Sequence, residues 1–309
     1  MAPCFLLGGA LLFALHAVLA VPAAPSLPRQ EADATDGIAP LAQPQIESFK
    51  PYTNFANAAY CAPIVTVDWS CGQHCEANPN FKPTAAGGDG IFVQFWFVGF
   101  DPDLGEVIVA HQGTQLLTIV PVLEDLDLLP LPLDEQLFAG VGLDVLVHSG
   151  FSIAQAETSQ FILAAVKNTM QEFNTSKVTT VGHSLGASIS LLDAVFLHLH
   201  LPDATVRFVG YGLPRVGDDP FVQLVDRLGF QVNHVANKKD LVPILPPVLL
   251  GYRHISGEIH IDEANQWINC PGHDNPSTSC TVGDTNLLLD FNIFDHAGPY
   301  DGVLISTFC

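Results

Sequence analysis

The chain has 309 residues, 48% of them hydrophobic and 14% charged, which supplies a large core and excludes intrinsic disorder for most of its length. Lys and Arg number 11 against 32 Asp and Glu, and the resulting formal charge of −21 opposes association with nucleic acid or an anionic membrane. A neutral, apolar or small partner suits that balance.

The run from Cys4 to Ala20 is apolar and ends in small residues before Val21-Pro22, the pattern of a secretory signal cleaved near Ala20 or Ala24, although Met1 to Pro3 carry no basic residue. It is short for a spanning helix and no basic stop signal follows, so no integral membrane span is expected. Val21 to Gln45 is rich in Pro, Ala and acidic residues without periodicity, as in a propeptide or flexible leader. Residues 1–20 are therefore expected to be removed, residues 21–45 to lie outside the fold, and residues 46–309 to form one secreted, extracellular domain. Of the seven cysteines, Cys4 leaves with the signal; Cys61, Cys71, Cys75, Cys270, Cys280 and Cys309 remain, an even set that predicts disulfides of open connectivity. A zinc site from Cys71, His74 and Cys75 lacks the paired spacing of common structural sites.

Ile91 to Phe100 and Glu106 to Ala110, separated by Asp101-Pro-Asp-Leu-Gly105, predict a hairpin of buried strands. Ser152 to Phe173 predicts a helix, Lys177 to Val181 a strand, Ala204 to Tyr211 a strand, Pro220 to Leu228 a helix and Phe230 to Ala236 a strand. That alternation predicts an α/β layer architecture with a mainly parallel central sheet flanked by helices. Asn174-Thr175-Ser176, between a helix and a strand, is a candidate glycosylation sequon, whereas Pro276 spoils Asn275-Pro-Ser.

Gly182-His-Ser184-Leu-Gly186 follows a β-branched run and precedes a helical pattern with Leu185, Ile189, Leu192, Phe196 and Leu199 on one apolar face. This is the context of a nucleophile elbow, where a serine sits on a sharp strand-to-helix turn and glycines allow strand and helix to close up. A serine hydroxyl needs a histidine base and a carboxylate to orient it, in chain order serine, acid, histidine. Asp240, in Asn237-Lys-Lys-Asp240 after a β-like run, is the first acid candidate, with a solvated turn as the alternative; Asp218 and Asp219 look like turn and helix-cap residues. Later histidines are His254 and His260, in what reads as a hairpin over Tyr252 to Ile261, His273 between Cys270 and Cys280, and His296 on an irregular segment near the end. Spacing alone does not choose among them.

Several ordered motifs from about Ala59 onward resemble the fungal class 3 triacylglycerol lipases, a branch of the α/β-hydrolases. Val147-His-Ser-Gly-Phe151, Gly182 to Gly186, Gly212-Leu-Pro-Arg-Val-Gly-Asp218, Asn237-Lys-Lys-Asp240-Leu-Val-Pro-Ile-Leu-Pro-Pro247 and Asp295-His296 with Tyr300 carry the likeness. The resemblance implies an α/β-hydrolase fold and a triad of Ser184, Asp240 and His296. It also implies the disulfides Cys61 with Cys309, Cys71 with Cys75, and Cys270 with Cys280. The backbone NH of Leu185, beside the nucleophile, is one expected oxyanion donor. His111-Gln112-Gly113-Thr114 resembles the family's R-G-S/T turn and makes Thr114 the second, with Gln112 in place of the usual arginine. Gln115 to about Leu126, rich in leucine, falls where the family carries a lid.

Together these imply a secreted monomeric serine ester hydrolase acting on acylglycerols at a transient lipid–water interface, with no metal or organic cofactor. A non-lipolytic esterase such as a feruloyl esterase, whose lid is expected to be more polar, and an inactive protein binding apolar ligands are the rival readings.

Overall fold

The computed structural model describes residues 37–114, 130–285, 290–305 and Cys309. The expected signal, the leader up to residue 36 and the lid segment Gln115 to Leu126 lie outside the described residues.

Among those residues the main sheet has nine strands in the order β1-β13-β12-β10-β8-β7-β4-β3-β2. Its centre is the parallel run β4 (Glu106–His111), β7 (Lys177–His183), β8 (Thr205–Tyr211), β10 (Gln231–Asn237) and β12 (Glu258–Ile261). Strands β2 (Lys82–Gly87) and β3 (Trp96–Asp101) extend one edge in antiparallel sense. Strands β13 (Trp267–Cys270) and β1 (Ala39–Pro40) extend the other. The layered α/β architecture is the one the strand and helix alternation predicts. Strand β4 is buried along its whole length and β7 from Val178 onward, so these two read as β-branched runs without alternation.

Three connecting helices position the site: α3 (Ser149–Phe173), α4 (Leu185–His200) and α5 (Asp219–Leu228). Two shorter ones, α1 (Gln43–Glu47) and α2 (Lys50–Ala58), precede the sheet's antiparallel edge. Helix α4 differs from the one-faced amphipathic pattern expected of it, because every residue from Gly186 to Leu197 is buried. Two of its buried polar residues have partners: Ser190 Oγ donates to the Val181 carbonyl at 2.7 Å, and Asp193 takes Gln155 Nε2 at 2.8 Å and His111 Nε2 at 2.7 Å, whereas Ser188 Oγ has none among the described residues. Burying a carboxylate or a hydroxyl without a partner costs free energy, which these bonds offset.

Four further departures from the sequence reading have physical reasons. The leader was expected to end at Gln45, yet Ala39–Pro40 pairs with Asn269 and Ile268 and α1 spans the boundary; a two-residue edge strand has too little length to show periodicity. The strand expected from Ile91 begins only at Trp96, because Asp89 Oδ1 accepts the amides of Ile91, Phe92 and Val93 and holds them in a loop. Tyr252 to Ile261 is not a hairpin. Tyr252–Arg253, β11, joins a small antiparallel sheet with β9 (Gly217–Asp218), β6 (Leu146–His148) and β5 (Pro130–Pro132), whereas β12 runs parallel to β10. Helix α3 starts three residues early, where His148 Nδ1 accepts the Gly150 amide.

All three expected disulfides are present: Cys61 with Cys309, Cys71 with Cys75, and Cys270 with Cys280. Their sulfurs are thereby withdrawn from metal binding, which removes the zinc reading. The first closes a loop with a sequence separation of 248 residues. Replacing both Cys61 and Cys309 by serine is expected to cost about 5 kcal/mol in the chain-entropy description, read as a lower urea midpoint with soluble-ester activity retained below it.

Candidate active site

The parallel strands β4, β7, β8 and β10 end in register, with His111 beside Gly182, Gly182 beside Gly210, and Tyr211 beside Val235. Loops leaving these ends therefore meet at one edge. Ser184 is the turn from β7 into α4, with φ 60° and ψ −130°, a left-handed conformation that costs a non-glycine residue about 1–3 kcal/mol. The packing that sustains it explains both flanking glycines. A Cβ on Gly182 would lie 2.2 Å from the Gly186 carbonyl oxygen, and one on Gly186 would lie 2.3 Å from that of His111. The Ser184 amide donates to the Tyr211 carbonyl at 2.9 Å, tying the turn to β8.

Asp240 is fully buried, which removes the solvated-turn alternative. Its Oδ1 accepts the Val242 amide at 2.9 Å, and its Oδ2 accepts His296 Nδ1 at 2.8 Å. The neighbouring Lys239 is turned away, with Nζ 2.7 Å from Asp284 Oδ1 and 3.2 Å from Asp290 Oδ2. Because Nδ1 of His296 donates to the carboxylate, Nε2 carries the free lone pair; it is buried and has no hydrogen-bond partner among the described residues. The acid and histidine loops are stitched together. Asn237 Nδ2 donates to the Asp295 carbonyl at 2.9 Å, the Lys239 amide to Asp295 Oδ2 at 3.2 Å, and the Asn292 amide to the Lys239 carbonyl at 2.9 Å. Arg215 braces the far side of the acid loop through the carbonyls of Ile244 and Pro246 while pairing with Asp274 at 2.7 Å.

Two residues that the sequence reading passed over hold these loops to the elbow. His183 Nε2 donates to the His296 carbonyl at 2.8 Å, which leaves its Nδ1 to accept the Tyr60 hydroxyl at 2.8 Å. Gly113 packs against the same hydroxyl, where an added Cβ would lie 2.4 Å away, so Tyr60 and His183 bridge the turn before Thr114 and the loop of His296. Burial first, then the nearby His296, holds His183 well below the usual histidine range and keeps it neutral, as that bridge requires. Tyr300 adds a second donor to the His296 carbonyl at 3.0 Å. The signal for His183 was its place beside Ser184 in the elbow motif; nothing local marked Tyr60.

Thr114 is half-buried at the end of the β4 loop, and Leu185 is the first residue of α4, where an amide has no partner within its helix. A Cβ on the intervening Gly113 would lie 3.1 Å from Ser184 Cβ, so this loop runs against the elbow. Gln112 ties this loop to the start of β3: its backbone amide donates to the Phe95 carbonyl at 2.8 Å and its Oε1 accepts the Phe95 amide at 3.0 Å.

Gly212 packs directly on the histidine, with φ 54° and its would-be Cβ 2.6 Å from His296 Cε1. Gly212→Ala is expected to push the imidazole aside and lower kcat on a soluble ester by about a hundredfold with KM little changed, a loss typical of ångström-scale misplacement. Steady-state kinetics beside a circular dichroism melt separate this from unfolding.

The rejected candidates fall elsewhere. Asp218 caps α5 by accepting the Phe221 amide at 2.9 Å, and Asp219 opens that helix. His260 meets Thr281 and Asp284, and His273 pairs with Asp226 at 2.8 Å. His254 is buried, stacks on His234 with ring centroids 4.3 Å apart, and donates to the Leu213 carbonyl at 2.9 Å. Burial, reinforced by Arg215, lowers its pKa to about 3. Below the unfolded value near 6.5 the unfolded chain takes up this proton and the folded one does not, so stability from His254 is intact above that pH and is lost as pH falls towards 3. About 2 kcal/mol should be lost at pH 5 relative to pH 7, and a wild-type versus His254→Asn difference in urea unfolding at the two pH values measures it.

Residues 108–250 match the family model for lipase (class 3). A secreted mono- and diacylglycerol lipase of Malassezia globosa, MDL4, is 30% identical over 307 residues, covering 95% of this chain and 93% of its own. The chain belongs to the class 3 lipase family. Another Malassezia globosa relative, the secreted mono- and diacylglycerol lipase MDL2, is 36% identical over 197 residues, and the match spans 63% of each chain. Lipase II from Rhizopus niveus superposes with a TM-score of 0.75 at 22% identity, covering 88% of this chain and 100% of that one. The fold of this class 3 lipase relative is accordingly that of the α/β-hydrolases, as the motifs implied. No helix among its described residues is long and apolar enough to cross a membrane.

Proposed function

We propose that this protein is a secreted lipase that hydrolyses acylglycerols through an acyl-enzyme on Ser184. The observation that carries the reading is the buried His296–Asp240 pair at 2.8 Å, which leaves Nε2 unpartnered at the edge where the elbow turns. In this reading His296 Nε2 takes the Ser184 proton as the oxygen attacks the ester carbonyl, Asp240 holds the imidazole in the tautomer with Nδ1–H, and the imidazolium then protonates the departing glycerol oxygen. The amides of Leu185 and Thr114 receive the oxyanion, and water, activated by the same imidazole, releases the fatty acid.

Relatives named mono- and diacylglycerol lipases support partial acylglycerols as substrates. The strongly negative chain suits release of a fatty-acid anion, which it repels. Residues 1–20 act as the signal, the protein works outside the cell as a monomer at a lipid–water interface, and the domain takes in Ala39–Pro40 and α1 ahead of residue 46.

The test is an assay of the secreted protein on emulsified tri-, di- and monoacylglycerol beside soluble short-chain and hydroxycinnamoyl esters. Emulsion activity on di- and monoacylglycerol is expected; turnover confined to hydroxycinnamoyl esters replaces the lipase with the feruloyl esterase.

A further inference from the structure

The loop entering β3 carries two consecutive large apolar side chains in solvent, Ile91 at 77% exposure and Phe92 at 85%. Their exposure is built in. Asp89 Oδ1 accepts the amides of Ile91 and Phe92 at 2.8 Å and of Val93 at 3.0 Å, Gly88 and Gly90 take φ of 95° and 75°, and a Cβ on Gly90 would strike the Phe95 ring. The base of the loop is bonded to Gln112 through both backbone groups of Phe95, two residues before Thr114. Because β3 is antiparallel to β4 and Trp96 stands opposite His111, this tip rises from the same sheet edge as the elbow. Phe161 of α3, 67% exposed, shares a cleft with Gly88, Val93 and Trp96 and widens the patch, and the two exposed acids of that cleft, Asp89 and Glu157, add negative charge at its rim. Across the site Phe294, 70% exposed, stands two residues before His296.

We propose that the Ile91–Phe92 tip, with Phe161 beside it, is an anchor that inserts into an uncharged acylglycerol surface and holds the Ser184 edge against it. The proposal rests on the lipase reading for its choice of occupant, and the charge pattern narrows that choice further. From Gly87 to Phe95 the one ionisable residue is Asp89, an exposed carboxylate whose Oδ1 accepts three amides, and the chain as a whole carries −21. An anionic bilayer therefore finds no cation here and meets net repulsion, whereas an oil of di- or triacylglycerol presents no charge. Apolar tips on a tight frame lose little conformational entropy on insertion, so most of the transfer free energy of the two side chains goes into binding.

The test uses the full chain with Ser184→Ala, so that binding is measured without turnover, and the I91S/F92S change made in that background. Co-flotation is measured with dioleoylglycerol droplets and, separately, with phosphatidylserine vesicles. Droplet binding is expected to weaken by at least about tenfold on I91S/F92S, as loss of most of two side chains' transfer energy implies, with vesicle binding weak in both proteins. With Ser184 intact, kcat/KM of the I91S/F92S protein on a soluble butyrate ester is expected to stay within about twofold, while emulsion hydrolysis falls with binding.

Unchanged droplet binding overturns the proposal, as does an equal loss from Ile64→Ser, a control residue of 77% exposure on another segment. Loss of soluble-ester activity overturns it too, since the tip then serves the fold. Tip-dependent droplet binding by a protein that hydrolyses no acylglycerol leaves the anchor standing and defeats the lipase reading alone.

Discussion

Ser184→Ala is expected to lower kcat on any ester substrate by about a millionfold, the scale seen when a serine nucleophile is removed from a triad in other hydrolases. The loss should be confined to chemistry. Ser184 contributes its backbone amide to Tyr211, a bond that alanine keeps, and its side chain makes no helix-capping bond whose loss would loosen α4. The turn is held in its left-handed conformation by the close approach of Gly182, Gly186 and His111, all unchanged in the variant. A melting temperature within a degree or two of wild type, together with the residual rate on a soluble ester, checks both halves of this expectation. Residual activity near the wild-type level would place the nucleophile elsewhere.

Asp240→Asn is expected to reduce kcat by about ten-thousandfold at neutral pH while KM changes little, by analogy with the triad aspartate of other serine hydrolases. The reason lies in the two bonds the carboxylate makes. Asp240 Oδ1 accepts the Val242 amide, so an asparagine that keeps this bond must present its amide nitrogen to His296. A donor there turns Nδ1 into the acceptor and moves the ring proton to Nε2, where it blocks abstraction of the Ser184 proton. The imidazole itself should stay in place, because Gly212 packs on it and its carbonyl is held by His183 and Tyr300. Steady-state kinetics from pH 6 to 10 check this: a uniform fall in kcat is expected for Asp240→Asn, whereas a displaced ring would raise KM and lower thermal stability as well.

What the sequence could show followed the length over which each signal runs. The strands Lys177–His183 and Thr205–Tyr211 and helix Leu185–His200 are long, continuous patterns, and they fall within two residues of where periodicity places them. The small sheet was invisible, because Gly217–Asp218 and Tyr252–Arg253 are too short to alternate. Pairing partners were equally hidden: Glu258–Ile261 has a strand's composition whether it turns back on Tyr252 or lies beside β10. The exposed Ile91 and Phe92 were misread as buried strand because hydrophobicity outweighed Asp89 and the glycines, the turn signals that could have corrected it.

The site shows the same division. The elbow is a contiguous motif, legible because glycine is the residue that its close approaches require. The Asp240–His296 contact joins positions 56 residues apart, and spacing left four histidines open until the motif resemblance singled out one. The hydrogen-bond chain from Tyr60 through His183 to the His296 carbonyl joins distant segments and leaves no local trace.

On the proposed mechanism Ser184, activated by His296, is the group that attacks the ester. A p-nitrophenyl alkylphosphonate added to the folded protein tests it most directly, with the product digested and its peptides weighed. One phosphonyl group on the Ser184 peptide is predicted, with p-nitrophenol released in equal amount and with labelling suppressed in His296→Ala. A folded wild-type protein that takes no label on Ser184, or a His296→Ala variant labelled as fast as wild type, contradicts it.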